Sequence, residues 1–255
     1  MEMNISKDSL LDGKVTLCQS IDGYRVSSDS IFLAASVPFM HSDTILDVGA
    51  GTGAIVLCLS FRSRNIRLTA IEKNSSNLLL LKRNIDLNNK NNQISVLKHD
   101  ITKKTEKVNK NSFNHVVSNP PFWKKGEARL PSNPDRLMSL HETNCTLKKW
   151  ICICSEFVSA KGSFSIILPV NRYDEAIEAI SKKMSYIRVL PLLSRIGNQP
   201  KRLIIQAWAI KIKKIEIYEP LVLHEGVEGD YTDEANRILR HGSGLDISKP
   251  LALVR

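Results

Sequence analysis

TILDVGAGTG, residues 44–53, runs from an apolar segment straight into three glycines at alternate positions, and AIVLCLSF follows with a helical pattern. The apolar segment reads as a buried strand, the glycines as a tight turn and the continuation as a helix. Glycines there let the backbone turn sharply and approach a ligand closely, at the C-terminal edge of the sheet where open α/β folds bind their ligands. The spacing Gly-x-Gly-x-Gly, in place of Gly-x-Gly-x-x-Gly, argues against a dinucleotide with its pyrophosphate.

Working outward, RLTAIEK (67–73), QISVLKH (93–99), FNHVVSN (113–119) and SFSIILP (163–169) are further strand candidates, each bounded by polar or turn residues. Between them lie helix candidates. SSNLLLLKRNIDLNN follows an Asn-Ser cap signal and puts Leu78, Leu81 and Ile85 on one face, and NRYDEAIEAISKKM aligns Ala176, Ile177, Ile180 and Met184. Such alternation implies an α/β fold with a mostly parallel sheet covered by helices on both faces. The last third differs: YIRVLPLLSRIG is joined to LIIQAWAIKIKK by the short basic turn NQPKR. Strands joined so closely must run antiparallel, because a parallel pair needs a crossover of about a dozen residues or more.

With 255 residues, 42% of them hydrophobic, the chain can bury a sizeable core. No apolar run approaches the roughly 20 residues of a membrane-spanning helix. The start, MEMNISKDSLLDGK, lacks the basic-then-apolar order of a signal peptide, so a cytoplasmic location and no membrane association are expected. Five cysteines in mostly apolar surroundings suit reduced thiols. Cys145, Cys152 and Cys154 lie on a helical, apolar segment without a second ligand pair, so no metal site is expected. The net charge of +10 points towards a polyanionic partner, although the Ile, Asn and Lys drift of an AT-rich genome gives the same excess.

Two acids and one proline pair carry the chemistry. Glu72 ends the second strand, 19 residues after Gly53, where a carboxylate can accept both hydroxyls of a ribose; Asp100 ends the third, in reach of an adenine amino group. SNPPFW, residues 118–123, then sits at the tip of the fourth strand. An amino group on an aromatic base is a poor nucleophile because its lone pair is delocalised into the ring. Acceptors on its N–H groups draw the nitrogen towards tetrahedral geometry and stabilise the positive charge that develops during transfer. Asn119 offers a side-chain oxygen and Pro120 a carbonyl. Pro121 adds rigidity without a competing donor, and Phe122 a flat face on which an extruded base can stack. The chain has no Pro-Cys pair, so covalent attack on a pyrimidine carbon has no candidate nucleophile, and direct in-line transfer remains.

A parallel sheet ending in an antiparallel pair, with glycines after strand one and acids after strands two and three, resembles the class I S-adenosylmethionine-dependent methyltransferases. That resemblance implies a Rossmann-like, seven-stranded mostly parallel sheet with an antiparallel final strand. It assigns S-adenosylmethionine to Tyr24, Arg25, Asp29, Asp47, Gly49, Gly51, Gly53, Glu72, Lys73, Asp100, Ile101 and Asn119, with Asp47 and the glycine backbone near the methionine part. Asn-Pro-Pro-[Phe/Tyr] is the signature of members that methylate planar nitrogens: adenine N6, guanine N2, cytosine N4 or a glutamine side chain. Gln19, Gly23, Tyr24, Arg25 and Asp29, then Arg136 to Glu142, RIGNQPKRLIIQA and HEGVEGDYTDEANRIL resemble the bacterial enzymes that methylate adenine N6 beside the anticodon of valine tRNA.

The implied partner is tRNA, met by Phe122, Trp123, Lys124, Lys125, Arg129 and Arg136 near the pocket and by Arg195, Lys201 and Arg202 at the last hairpin. His141 and Glu142 read as a helix-end ion pair. The expected organisation is a helical N-terminal segment (1–42) packing on the cofactor cleft, the methyltransferase domain (43–212) and a C-terminal extension (213–255) with a short helix capped by Thr232, the whole acting as a monomer. A guanine-N2 rRNA enzyme, a glutamine-N5 enzyme acting on a release factor and a non-catalytic RNA-binding protein stand as alternatives.

Overall fold

The computed structural model describes residues 4–248 apart from 24, 105, 121–144 and 227–228. Strands β3 (Thr44–Val48), β4 (Arg67–Glu72), β5 (Ile94–Lys98), β6 (Phe113–Ser118), β7 (Val158–Pro169), β8 (Tyr186–Leu193) and β9 (Arg202–Trp208) form the body of one sheet. Their spatial order is β8-β9-β7-β6-β3-β4-β5. All neighbours are parallel except β9, which runs antiparallel to both β7 and β8.

Within these strands, alternate residues enter two separate cores. Ile45, Leu68, Val117 and Ile167 point to one face and Leu46, Ile71, Val116 and Ile166 to the other. Burial on both faces is what makes the inner strands read as apolar runs, whereas β5, at the sheet edge, is fully buried only at Ile94. One face is covered by α1 (Ser28–Ser36), α2 (Ala54–Arg62), α3 (Ser75–Leu87) and α6 (Asp233–His241). The other is covered by α4 (Leu147–Phe157) and α5 (Tyr173–Ile180).

Side-chain caps fix where these helices begin. Asn74 accepts from the Asn77 amide at 3.0 Å, and Thr146 from Lys149 at 3.3 Å. Thr232 accepts from Ala235 at 3.2 Å, the expected cap of the short final helix, which Gly242 closes at φ 68°.

The expected helical segment over residues 1–42 is corrected. Strands β1 (Ile5–Leu10) and β2 (Val15–Ser20) form an antiparallel hairpin, and among the described residues of this segment only Ser28–Ser36 is helical. Leu11, Asp12 and Gly13 take φ values of 53°, 54° and 82°, a left-handed turn for which an Asp-Gly pair is suited. Asn84 of α3 and the residue that caps the helix, Asn88, satisfy the outer edge of β2. Asn84 accepts from Cys18 N at 2.7 Å and donates to its carbonyl at 3.0 Å; Asn88, one helical turn on, does the same for Thr16 at 3.0 and 2.7 Å. A side-chain amide thereby replaces a neighbouring strand.

Among the described residues nine strands pair in the sheet, two more than expected. β10 (Lys214–Ile217) and β11 (Leu221–Val222) come from the C-terminal extension and pair in parallel with β8. The helix expected to run to Met184 ends at Ile180, with Ser181–Lys183 in a turn. Among the described residues no helix is long and apolar enough to cross a membrane, and no group of three or more His, Cys, Asp or Glu could hold a metal ion.

Candidate active site

The C-terminal ends of β3, β4 and β6 converge on the glycine turn. Gly49, Gly51 and Gly53 have φ values of 77°, 58° and 97°, conformations that side-chain-bearing residues rarely adopt. Gly49 and Ala50 both donate to the Ile71 carbonyl at 2.9 Å, tying the turn to β4. The three glycines differ in what surrounds them. A Cβ on Gly53 would lie 2.5 Å from Leu81 Cδ1, and one on Gly49 3.1 Å from the Trp150 ring, whereas one on Gly51 would meet no atom within 4 Å. Two glycines thus permit close packing and the third fronts open space. Gly53→Ala combines a left-handed backbone with overlap of Leu81, so chemical denaturation should show a loss of about 2 kcal/mol.

Asparagine 84 braces the same turn from below. It is fully buried, and its Nδ2 donates to the Thr52 carbonyl at 2.9 Å as well as to Cys18, so one amide joins α3, β2 and the glycine turn.

Glu72 is 7% exposed, and its two oxygens accept from Gly51 N at 2.8 Å and Asn74 N at 2.7 Å. Those bonds fix the carboxylate at the strand end and leave further lone pairs for hydroxyl donors. Asp47 is wholly buried on β3, and neither carboxylate oxygen has a hydrogen-bond partner among the described residues. Burial, and secondarily the charge of Glu72, pushes its pKa up to about 8. Asp100 lies two residues beyond the end of β5. Burial alone would raise its pKa, but hydrogen bonds from Thr102 N and Oγ1 at 3.0 and 2.7 Å, with the charges of Lys73 and Lys103, bring it below the ordinary value. Ile101 beside it is buried in the α4–α5 core.

On the other side of the glycine turn, Ser118 at the end of β6 donates to the Val48 carbonyl at 2.7 Å and accepts from Trp150 Nε1 at 3.0 Å. This chain of bonds links the ends of β3 and β6 to the first turn of α4 and lays the indole against Gly49. Asn119 comes next. Its Nδ2 donates to Ser30 Oγ at 3.2 Å, and its Oδ1 is buried without a partner among the described residues. Pro120 is buried beside it.

The structure therefore brings Asp47, the three glycines, Glu72 and Asn119 together at one sheet edge. Other residues named from sequence are engaged elsewhere. Arg25 donates to Asp8 at 2.6 Å and to Ser6 at 2.9 Å on the hairpin. Asp29 and Arg202, expected to meet cofactor and RNA respectively, form one ion pair at 2.8 Å. Arg195 donates to the Gly226 carbonyl, and Lys201 is exposed at the β8–β9 connection. Tyr24, Pro121, Phe122, Trp123, Lys124, Lys125, Arg129, Arg136, His141 and Glu142 lie outside the described residues. Sequence reasoning missed Ser30, Asn84, Ser118 and Trp150. A polar residue inside an apolar pattern was the available signal for Asn84 and Ser118; Ser30 and Trp150 had none.

These residues fit S-adenosylmethionine. A buried carboxylate without donors of its own, a fixed carboxylate at the second strand end and open space over Gly51 suit a ligand carrying an ammonium group and vicinal hydroxyls.

Comparison with known proteins agrees. Residues 24–135 match the methyltransferase small domain. The chain is 27% identical to the tRNA1(Val) (adenine(37)-N6)-methyltransferase of Bacteroides fragilis, over 85% of this chain and 89% of the relative. It is 28% identical to the protein of the same name from Porphyromonas gingivalis, over 84% and 86%. Among solved structures, a predicted O-methyltransferase of Agrobacterium tumefaciens superposes with a TM-score of 0.71 at 20% identity, over 86% of this chain and 98% of that one. M. jannaschii TYW2, in complex with AdoMet, superposes with a TM-score of 0.56 at 16% identity, over 81% and 86%. Residues 24–135 thus match the methyltransferase small domain, and the glycine turn, the strand-end carboxylates and this strand order are those of the Rossmann-like fold of the class I S-adenosylmethionine-dependent methyltransferases.

Proposed function

We propose that the protein methylates N6 of an adenine in tRNA, beside the anticodon of a valine tRNA, working as a monomer in the cytoplasm. The observation that carries this reading is the Asn119 amide at the tip of β6. Its nitrogen is held by Ser30 and its buried oxygen has no partner among the described residues, next to Asp47 and the glycine turn. S-adenosylmethionine, when bound, supplies an electrophilic methyl group. Asn119 Oδ1 and the Pro120 carbonyl accept the two N–H groups of the target amine and stabilise the positive charge that builds on its nitrogen. Asp47, Glu72 and the turn hold the cofactor, and Trp150 closes the wall over Gly49. The names of the relatives support tRNA as substrate, and the net charge of +10 suits a polyanion.

The test is transfer of labelled methyl from S-adenosylmethionine to unmodified total tRNA, followed by nucleoside analysis. N6-methyladenosine is the expected product. Labelled tRNA carrying another nucleoside, or no labelling while the cofactor binds, would overturn the adenine reading and move the search to rRNA guanine or a protein glutamine.

A further inference from the structure

We propose that Ser30 is a positioning residue for methyl transfer: it holds the Asn119 amide with its oxygen turned towards the amine that receives the methyl group. The proposal rests on the reading of Asn119 as that amine's acceptor. Ser30 sits in the first turn of α1, 7% exposed, and is separated from Asn119 by 89 residues of sequence. The turn is anchored independently, because Asp29 beside it pairs with Arg202 of β9 at 2.8 Å.

A primary amide can lie in two orientations that differ by exchange of its oxygen and nitrogen. With Nδ2 on Ser30, the buried oxygen is left without a donor among the described residues and can accept an N–H of the target amine. Exchanged, the pocket would present two N–H donors, which repel the N–H groups of an amine. A hydroxyl can serve either orientation by rotating its proton. What Ser30 supplies is a buried partner for Nδ2 in the productive orientation, so that presenting the acceptor leaves no buried donor unsatisfied. Without it, that orientation costs an unpaired N–H, and the site loses part of its demand for a donor-bearing substrate.

Ser30→Ala should lower kcat by about 10- to 100-fold, the rate equivalent of one unsatisfied buried donor, with Tm, cofactor affinity and the KM for RNA close to those of the parent. Ser30→Thr keeps the hydroxyl and should recover most of the rate. In Asn119→Ala, which has no side-chain amide left to position, adding Ser30→Ala should cost nothing further. Hydrogen exchange of the Asn119 side-chain amide, followed by NMR without RNA, should be faster in Ser30→Ala than in the parent. An unchanged kcat, an equal loss in the Asn119→Ala background, or unchanged amide exchange would overturn the proposal. A parent enzyme that makes no N6-methyladenosine in tRNA would refute the substrate reading separately, because amide exchange reads the Ser30–Asn119 bond without RNA.

Discussion

Asn119→Ala should slow methyl transfer by about two to three orders of magnitude while leaving S-adenosylmethionine affinity within about twofold of the parent. The amide oxygen is the one side-chain acceptor at the tip of β6 that stands without a partner among the described residues. Hydrogen bonds on described residues set its position. Ser118, one residue earlier, is locked between Val48 and Trp150, and Ser30 holds the amide nitrogen. On the proposed role of Asn119, truncation removes a fixed acceptor from the nitrogen that gains positive charge in the transition state, where such preorganised groups have their largest effect. The groups assigned to the cofactor are untouched, since Glu72 is fixed by Gly51 and Asn74 and Asp47 lies on β3. Single-turnover transfer together with calorimetric titration of the cofactor separates the two effects. A fall in cofactor affinity that matches the fall in rate would show that Asn119 holds the cofactor and not the base.

How far the sequence predicts such a site depends on the range of the interactions that build it. The inner core strands were legible because burial on both faces turns them into apolar runs, the edge strand β5 by its polar bounds, and the glycine turn because φ values of 58° to 97° select glycine. Glu72 and Asn119 were legible because they terminate those runs. The hairpin was not: ISKDSL is largely polar, and β2 is completed by Asn84 and Asn88, 66 and 72 residues away. The same holds for Asp29 with Arg202, separated by 173 residues. Each had a plausible separate role until the fold brought them into contact. Strands β10 and β11 depend on the free edge of β8, which exists only once the sheet is built. Local propensity carries no record of such tertiary partners.

Asp47→Asn should stabilise the cofactor-free protein relative to the parent by about 4 kcal/mol more at pH 8 than at pH 5. The Asp47 carboxyl ordinarily ionises near 3.8, and in the fold its pKa rises to about 8, first through burial and then through the charge of Glu72. Between these values the folded chain keeps a proton that the unfolded chain has released, so the contribution of Asp47 to stability falls as pH rises through this window. Three pH units at about 1.4 kcal/mol each give the stated difference. Asparagine cannot ionise, so any cost of its buried amide is the same at both pH values, and the change between them isolates the carboxylate. Denaturant unfolding of both proteins at the two pH values measures it. An equal difference at both would mean that the folded protein already carries the ionised form. The same titration bears on binding: a cofactor that engages the ionised carboxylate must displace its proton, so parental affinity should rise as pH approaches about 8. Asp47→Asn should flatten that rise. Stability and cofactor affinity then have opposite pH trends governed by one side chain, which is the behaviour of a carboxyl buried for a ligand and not for the fold.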